Sequence, residues 1–575
     1  MKNGILIISA IVLFFFNACT HKTSSEGDIA TDSAAIALGQ TIFTQDCNAC
    51  HNFMQDGIGP QLGGITAAVS ADWIRNFIKD PKSLIDAGDE RAAQLYKKYK
   101  TIMPSFAHYP DDKVNELIAF LNIQKAPVQG KELEDPNALK NPIPDSIQMS
   151  DLVVGVEFVT QIPFSSEENP RTRIAKLDFQ PNTDKLFMLD LRGILYDLHN
   201  NKARVYLDIA KKKPLFINKP GLATGFGSFA FHPEFAKNGL LYTTHTESPG
   251  SGKADFGYPD SISVTLQWVL SEWKTKQPGA FPFEGESREL FRINMVTGIH
   301  GVQEITFNPL AKPGDEDYGL LYVGVGDGGC VENNYPFLVH SKEKMWGSII
   351  RIDPLGTNST NGKYGIPANN PFAKSDSPNT ARELYAYGFR NPHRITWSKS
   401  GQILASNIGH GNIEGFNIIL PGHDYGWPIR EGTFVHNMYG NMNNIYPLQA
   451  DDAKYDVTYP VAQYDHDEGK AISGGFEYWG KAVPQLSGKY LFGDIANGRL
   501  FYVEMADLKV GSQATIKEWK ISFHGKPTTL AELCGNERAD LRLGRDHQGE
   551  LYVFTKIDGK VYKLVSPNHN LLSNR

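Results

Sequence analysis

Cysteine is scarce, with five residues in a chain of 575. No long lysine or arginine run occurs and the formal net charge is −7, so a nucleic-acid role has no electrostatic support. After the first 20 residues, no segment approaches the roughly 18 continuous apolar residues that a membrane-spanning helix needs. A charged fraction of 21% and a hydrophobic fraction of 41% are those of an ordinary globular protein. The length exceeds what one core supports, which predicts about two or three domains. What is plentiful is glycine (54), proline (33) and phenylalanine (32). That mixture suits many short strands joined by turns better than a helical bundle.

The opening "MKNGILIISAIVLFFFNAC" has a lysine, an apolar run from Ile5 to Phe16 and small residues before Cys19. The run is too short to span a bilayer and has the length of a signal h-region. Residues 1–18 read as a lipoprotein signal peptide, with Cys19 as the lipid-bearing mature N-terminus. A plain secretory signal with a chance cysteine is the alternative. Residues 19–32 read as a polar tether that holds the protein off a membrane. The expected location is therefore the periplasmic side or the cell surface. Export permits Cys330 and Cys534 to pair, but their sequence separation does not decide it.

The stretch "FTQDCNACHNF" fits the C-x-x-C-H pattern of c-type haem attachment. Two thioethers from Cys47 and Cys50 on one turn would hold the haem and place His51 under the iron. A zinc site or a redox dithiol would use similar residues, and the surroundings discriminate. An amphipathic helix precedes the motif, and the Gly-Pro loop "GIGPQLGGI" follows it. The Pro60 carbonyl of that loop is placed to accept a hydrogen bond from the His51 ring. "SADWIRNFIKDP" predicts a helix with Ser70 as N-cap. "TIMPSF" sets Met103 before a proline, and "PDDKVNELIAFLN" predicts a last helix. Residues 33–123 thus resemble a class I cytochrome c, and that resemblance implies His51 and Met103 as the axial iron ligands. Such a haem moves electrons one at a time.

Residues 124–152 are Pro-rich, charged and without apolar period, and read as a linker. From Val153 an apolar strand, a turn and a second strand recur as a unit. Examples are "IAKLDFQPNTDKLFMLD", "FGSFAFHPEFAKNGLLYTTH" and "HRITWSKSGQILASNIG". Six such copies predict antiparallel hairpins in a six-bladed β-propeller over residues 153–566, with 567–575 as a tail. The fold expectation is a small all-α cytochrome c domain followed by an all-β six-bladed propeller.

Inside the repeats, "FAFHPEF", "HGVQEITFNP", "LYVGVGDGG", "YAYGFRNPHRITW", "IEGFNIILPGHDYGWP" and "SGGFEYW" occur in order. This set resembles the glucose/sorbosone dehydrogenase family, whose soluble members bind pyrroloquinoline quinone (PQQ) on a six-bladed propeller. The resemblance implies His300 as general base, since an imidazole can take a hydroxyl proton while hydride leaves the same carbon. It implies Arg390 and Asn391 as PQQ contacts, the guanidinium suiting carboxylates and quinone oxygens. It implies Gly409 and His410 as backbone-carbonyl ligands of calcium.

The sequence also departs from the family pattern. Ala223 stands where a glutamine is expected, and Ala496 where a PQQ-binding lysine is. Arg499 is placed to supply the missing cation, and Arg538 and Arg542 straddle Asp540 in place of an Arg-x-Arg-Asp run. Ile299 replaces an acidic neighbour of His300.

Together these features imply a quinohaemoprotein dehydrogenase for a sugar or related alcohol, with haem c, PQQ and calcium. Electrons would leave to a soluble carrier or a membrane chain. The competing reading is a PQQ-free propeller that acts as a binding or scaffold module and carries an electron-transfer cytochrome. Relatives of Hedgehog-interacting protein use the same propeller to bind partners.

Overall fold

The computed structural model describes residues 29–47, 51–53, 59–99, 102–125, 135–167, 170–219 and 223–567. The expected signal 1–18, Cys19, Cys50 and the tail beyond 567 lie outside the described residues. Among the described residues no helix is long and apolar enough to cross a membrane.

The first unit is helical. The helix Ser33–Ile42 starts where Asp32 caps the Ala35 N–H at 2.9 Å. Ala71–Lys79 starts where the Ser70 hydroxyl accepts from the Trp73 N–H at 3.3 Å. Each cap satisfies an N–H group that the helix leaves orphaned. The last helix, Asp111–Ile123, buries Val114, Leu117, Ile118 and Leu121 against Ile42, Phe43, Ile74 and Ile78. It crosses the first helix so closely that a Cβ at Gly39 would lie 1.9 Å from the Glu116 carbonyl oxygen. Only glycine permits that approach.

The second unit is a six-bladed propeller. The inner strands are Ile174–Phe179, Phe226–Phe231, Glu304–Phe307, Pro392–Trp397, Ile472–Glu477 and Leu541–Arg545. Each touches the next, and the last touches the first, so the ring closes. Blades one to four are four-stranded antiparallel sheets. Their faces pack on neighbouring blades through apolar layers. Phe187 and Leu207 of the first blade meet Phe229 and Trp273 of the second. Tyr552 and Phe554 of the sixth meet Ile174 and Met188 of the first. Strands buried on both faces are continuously apolar rather than alternating, as in the fully buried Leu186–Asp190.

Closure of the ring uses the start of the propeller. The long strand Gln148–Gln161 runs antiparallel to Lys560–Val565 as the outer strand of the sixth blade. It also runs parallel to Lys517–Phe523 of the fifth, which fuses those two blades into one nine-stranded sheet.

The described part of the linker is docked on the propeller rather than loose. The Leu139 N–H donates to the Ile445 carbonyl at 2.9 Å, and the Ile143 N–H to Asp465 at 3.2 Å. The Tyr446 hydroxyl bonds Asp135 at 2.9 Å.

In an up-and-down blade, the loops entering the inner strand and the loops joining the second and third strands share one end. His300, Arg390, Asn391, Gly409, His410, Arg499 and Arg538 all sit on such loops. The fold therefore gathers them at one mouth of the central channel.

Candidate functional site

Cys47, His51, Pro60, Trp73, Phe77, Tyr99, Met103 and Leu117 line one cavity in the helical unit. His51 Nδ1 lies 2.8 Å from the Pro60 carbonyl oxygen, which puts the proton on Nδ1 and the ligating lone pair on Nε2. A Cβ at Gly59 would lie 2.4 Å from the His51 ring, so glycine keeps the imidazole in place. A largely apolar slot with His51 and Met103 in its lining fits a haem with those axial ligands. Arg538, from the propeller, also lines this cavity.

At the propeller mouth, His300 has a left-handed backbone, φ 49°, which is uncommon away from glycine. Its Nδ1 meets Asp327 Oδ1 at 2.8 Å. Asp327 is fully buried and is held in turn by the Trp427 indole N–H on Oδ2 at 3.0 Å and by the Gly329 N–H on Oδ1 at 3.0 Å. A carboxylate only accepts, so the His300 proton sits on Nδ1 and Nε2 carries the lone pair. Gly326 makes room for the bent backbone, because a Cβ there would lie 2.2 Å from the His300 carbonyl oxygen.

Beside this dyad, Arg390 donates to Glu332 Oε1 from Nη2 at 2.6 Å and from Nε at 3.1 Å. His410 Nδ1 lies 3.3 Å from the same oxygen. Burial alone would raise the Glu332 pKa, but the Arg390 charge and the His410 hydrogen bond outweigh it and hold the carboxyl well below its usual range. One ligand atom each from His300, Asp327 and Glu332 lies within 4.8 Å of the others, so the sequence-predicted His300, Arg390 and His410 form one cluster. Asn391 is buried beside it, its N–H on Asn407 Oδ1 at 3.0 Å.

The calcium expectation fits less well. The Gly409 carbonyl already accepts from Arg390 Nη1, a fixed cation that would repel a metal ion. The loop from Gly409 to Ile413 folds around Glu431, whose Oε1 accepts from the N–H groups of His410, Gly411, Asn412 and Ile413. That carboxyl is pulled down to about 2: burial opposes ionisation, but the His436 and His410 charges and these hydrogen bonds outweigh it.

Across the channel lies a cationic cluster of Lys556, Arg542 and Arg538. Arg542 is partly buried, with its Nη1 on the Leu541 carbonyl at 2.7 Å, and desolvation draws its pKa down to about 10. Lys556 is buried and makes no ion pair among the described residues; burial first, and then the Arg542 charge, push its pKa well below the usual lysine value. The His393 ring is held neutral by burial and by the neighbouring Arg394, Arg542 and Lys556, and its Nε2 has no hydrogen-bond partner. Asp540 is the buried acid in this group and is bonded by Arg538 at 3.0 Å. Lys556, Arg542 and Arg538, set against the acid Asp540, make this side of the mouth suited to an anionic ligand.

Arg499 does not join this cluster. Its guanidinium is committed to Glu518 and Glu468, each at 2.6 Å, so the cation lost at Ala496 is not replaced from there. Lys556 is a buried lysine at this mouth. The glutamine absent at Ala223 also has a neighbour of the right type: Gln303 Nε2 donates to the Ala223 carbonyl at 2.9 Å. Sequence reasoning missed Asp327, Glu332, Trp427, Gln303 and Lys556. Asp327, Trp427 and Gln303 lie inside the quoted motifs, so a buried acid in "VGDGG" was a usable signal; nothing local in "FTKIDG" distinguishes Lys556. Cys330 and Cys534 are both free thiols. Cys330 lies between the second and third blades, whereas Cys534 packs between the fifth and sixth.

The family model "Glucose / Sorbosone dehydrogenase" matches residues 208–524, and the cytochrome c model matches 36–124. The human Hedgehog-interacting protein is 25% identical over 417 residues, covering 70% of this chain and 52% of its own. Quinoprotein glucose dehydrogenase B of Acinetobacter calcoaceticus is 22% identical over 340 residues, covering 55% of this chain and 64% of its own. The chain spans about half the length of the curated relatives it matches first. The crystal structure of the soluble aldose sugar dehydrogenase from Escherichia coli, in the apo-form, superposes with a TM-score of 0.50 at 18% identity over 72% of this chain and 99% of that one. With the family model matching more than half its length, and with the closed ring of six blades, this chain belongs to the glucose/sorbosone dehydrogenase family and carries a cytochrome c domain ahead of the propeller.

Proposed function

We propose that the protein is a quinohaemoprotein dehydrogenase that oxidises a sugar or related alcohol. The observation that carries this reading is the convergence, at one channel mouth, of a His300–Asp327 dyad with the buried Lys556 and the partly buried Arg542 and Arg538, next to a haem cavity. PQQ, when bound, supplies the hydride acceptor, and the haem iron takes electrons singly. Lys556, Arg542 and Arg538 would hold the carboxylates of PQQ, with Arg390 and Asn391 on its other side. His300 Nε2 would take the hydroxyl proton of the substrate, and Asp327 would stabilise the imidazolium that forms. No step is assigned to calcium, because Arg390 holds the Gly409 carbonyl.

Cys19 would carry a lipid anchor on an exported protein, and a soluble carrier or membrane chain would receive the electrons. The second reading, a PQQ-free binding module, draws support from the likeness to Hedgehog-interacting protein and from Ala223 and Ala496. The enclosed Lys556 and the Gln303–Ala223 contact weigh against it.

The test is equilibrium binding of PQQ to the haem-loaded protein, followed by haem reduction with a panel of aldoses and alcohols. Lys556→Ala should weaken PQQ binding at least tenfold. His300→Ala should retain binding and lose substrate-driven reduction. No PQQ binding and no reduction with any substrate would favour the binding module.

A further inference from the structure

We propose that Arg538 is an electrostatic bridge between the propeller mouth and the haem, and that it sets the haem reduction potential from outside the cytochrome domain. This rests on the haem cavity and not on the PQQ reading.

Arg538 belongs to two sites at once. It lines the haem cavity together with His51 and Met103, and its Nε holds Asp540 at 3.0 Å in the cationic cluster of the mouth. The segment carrying it is fixed at both ends. The preceding helix, Leu530–Cys534, has a capping box between Thr529 and Glu532 and ends at Gly535 with φ 65°. The Arg538 N–H is tied to Asn536 Oδ1 at 2.9 Å, and Asp540 leads directly into the inner strand Leu541–Arg545. The adjacent Glu537 faces Lys82 of the cytochrome domain, with Oε1 and Nζ 3.7 Å apart. The domains are therefore seated on each other at this loop, and a guanidinium from one borders the prosthetic-group cavity of the other.

The consequence follows from charge. Reducing the iron lowers the net positive charge of the haem by one. A neighbouring fixed cation favours that reduced state, and a neighbouring anion opposes it, with weak screening in a partly enclosed site. Arg538 should raise the haem potential and Asp540 should lower it. Lys556 and Arg542 share the field around Asp540. Anything that binds those cations therefore alters the field that Arg538 relays to the iron.

The test is spectroelectrochemical titration of the haem in the full chain without PQQ. Arg538→Gln should lower the midpoint, favouring the oxidised haem several-fold, and Arg538→Lys should restore most of it. Asp540→Asn should shift the midpoint upward. Opposite signs from two neighbouring substitutions are not expected of a general loosening of the fold, which would move both the same way. Unchanged midpoints in Arg538→Gln and Asp540→Asn, or shifts of the same sign, would overturn the proposal. A second arm adds PQQ. Its carboxylates should lower the midpoint of the wild type more than that of Arg538→Gln. If PQQ has no effect but the opposite shifts persist, the bridge stands and the PQQ seat fails.

Discussion

His300 shows how much a single residue demands of its surroundings. Its left-handed φ of 49° costs of order 1 kcal/mol or more and is tolerated because Gly326 clears the space behind it. Gly326→Ala would put a Cβ 2.2 Å from the His300 carbonyl oxygen. We expect that variant to keep its haem spectrum and lose substrate oxidation by tenfold or more, read as substrate-driven haem reduction. Asp327→Asn should lower turnover by about 10²-fold or more, since the amide cannot stabilise an imidazolium. Glu431 gives a pH prediction. Its carboxyl is depressed to about 2 from an ordinary 4.5. The stabilisation is therefore complete above about pH 4.5 and is lost as pH falls towards 2. Its size is roughly 3 kcal/mol by linkage. Denaturant titrations between pH 6 and 3 should show this acid loss in the wild type and a flatter profile in Glu431→Gln.

At the scale of elements, the blades are held by apolar layers between sheets. Leu564 is fully buried in the sixth-blade strand that pairs with Gln148–Gln161. Leu564→Ala should cost about 2–5 kcal/mol by denaturant melt, with the cytochrome helices unaffected. The propeller was legible in the sequence because each blade repeats a strand–turn–strand unit whose turns are marked by Pro, Asn and Gly. The helix start at Ala71 was legible from the Ser70 cap and the apolar pattern, whereas before the haem motif only the amphipathic period was legible and not the start at Ser33 under its Asp32 cap. The third-blade loop was only half legible: its glycines announce a turn, but the pairing of Asp327 and Glu332 depends on residues far away, Trp427 and Arg390. The Arg499 expectation failed for the same kind of reason. Nothing local shows that Glu468 and Glu518 converge on it from separate segments. The docking of residues 135–147 was equally hidden, because its backbone is satisfied by distant partners and not by any periodicity of its own.

At the scale of the whole molecule, one device closes the propeller and another joins it to the helical unit. The strand Gln148–Gln161 closes the ring and ties the propeller's beginning to its end, and the loop at Glu537 and Arg538 brings the haem cavity to the mouth. The central claim is that substrate oxidation at the mouth and haem reduction occur within one polypeptide. The most direct measurement is stopped-flow mixing of the PQQ-loaded, oxidised protein with an oxidisable sugar, following the reduced haem band over a tenfold range of protein concentration. The account predicts a first-order rate that does not change with protein concentration and that vanishes in His300→Ala. A rate that scales with protein concentration, or haem reduction that persists without His300, would contradict it.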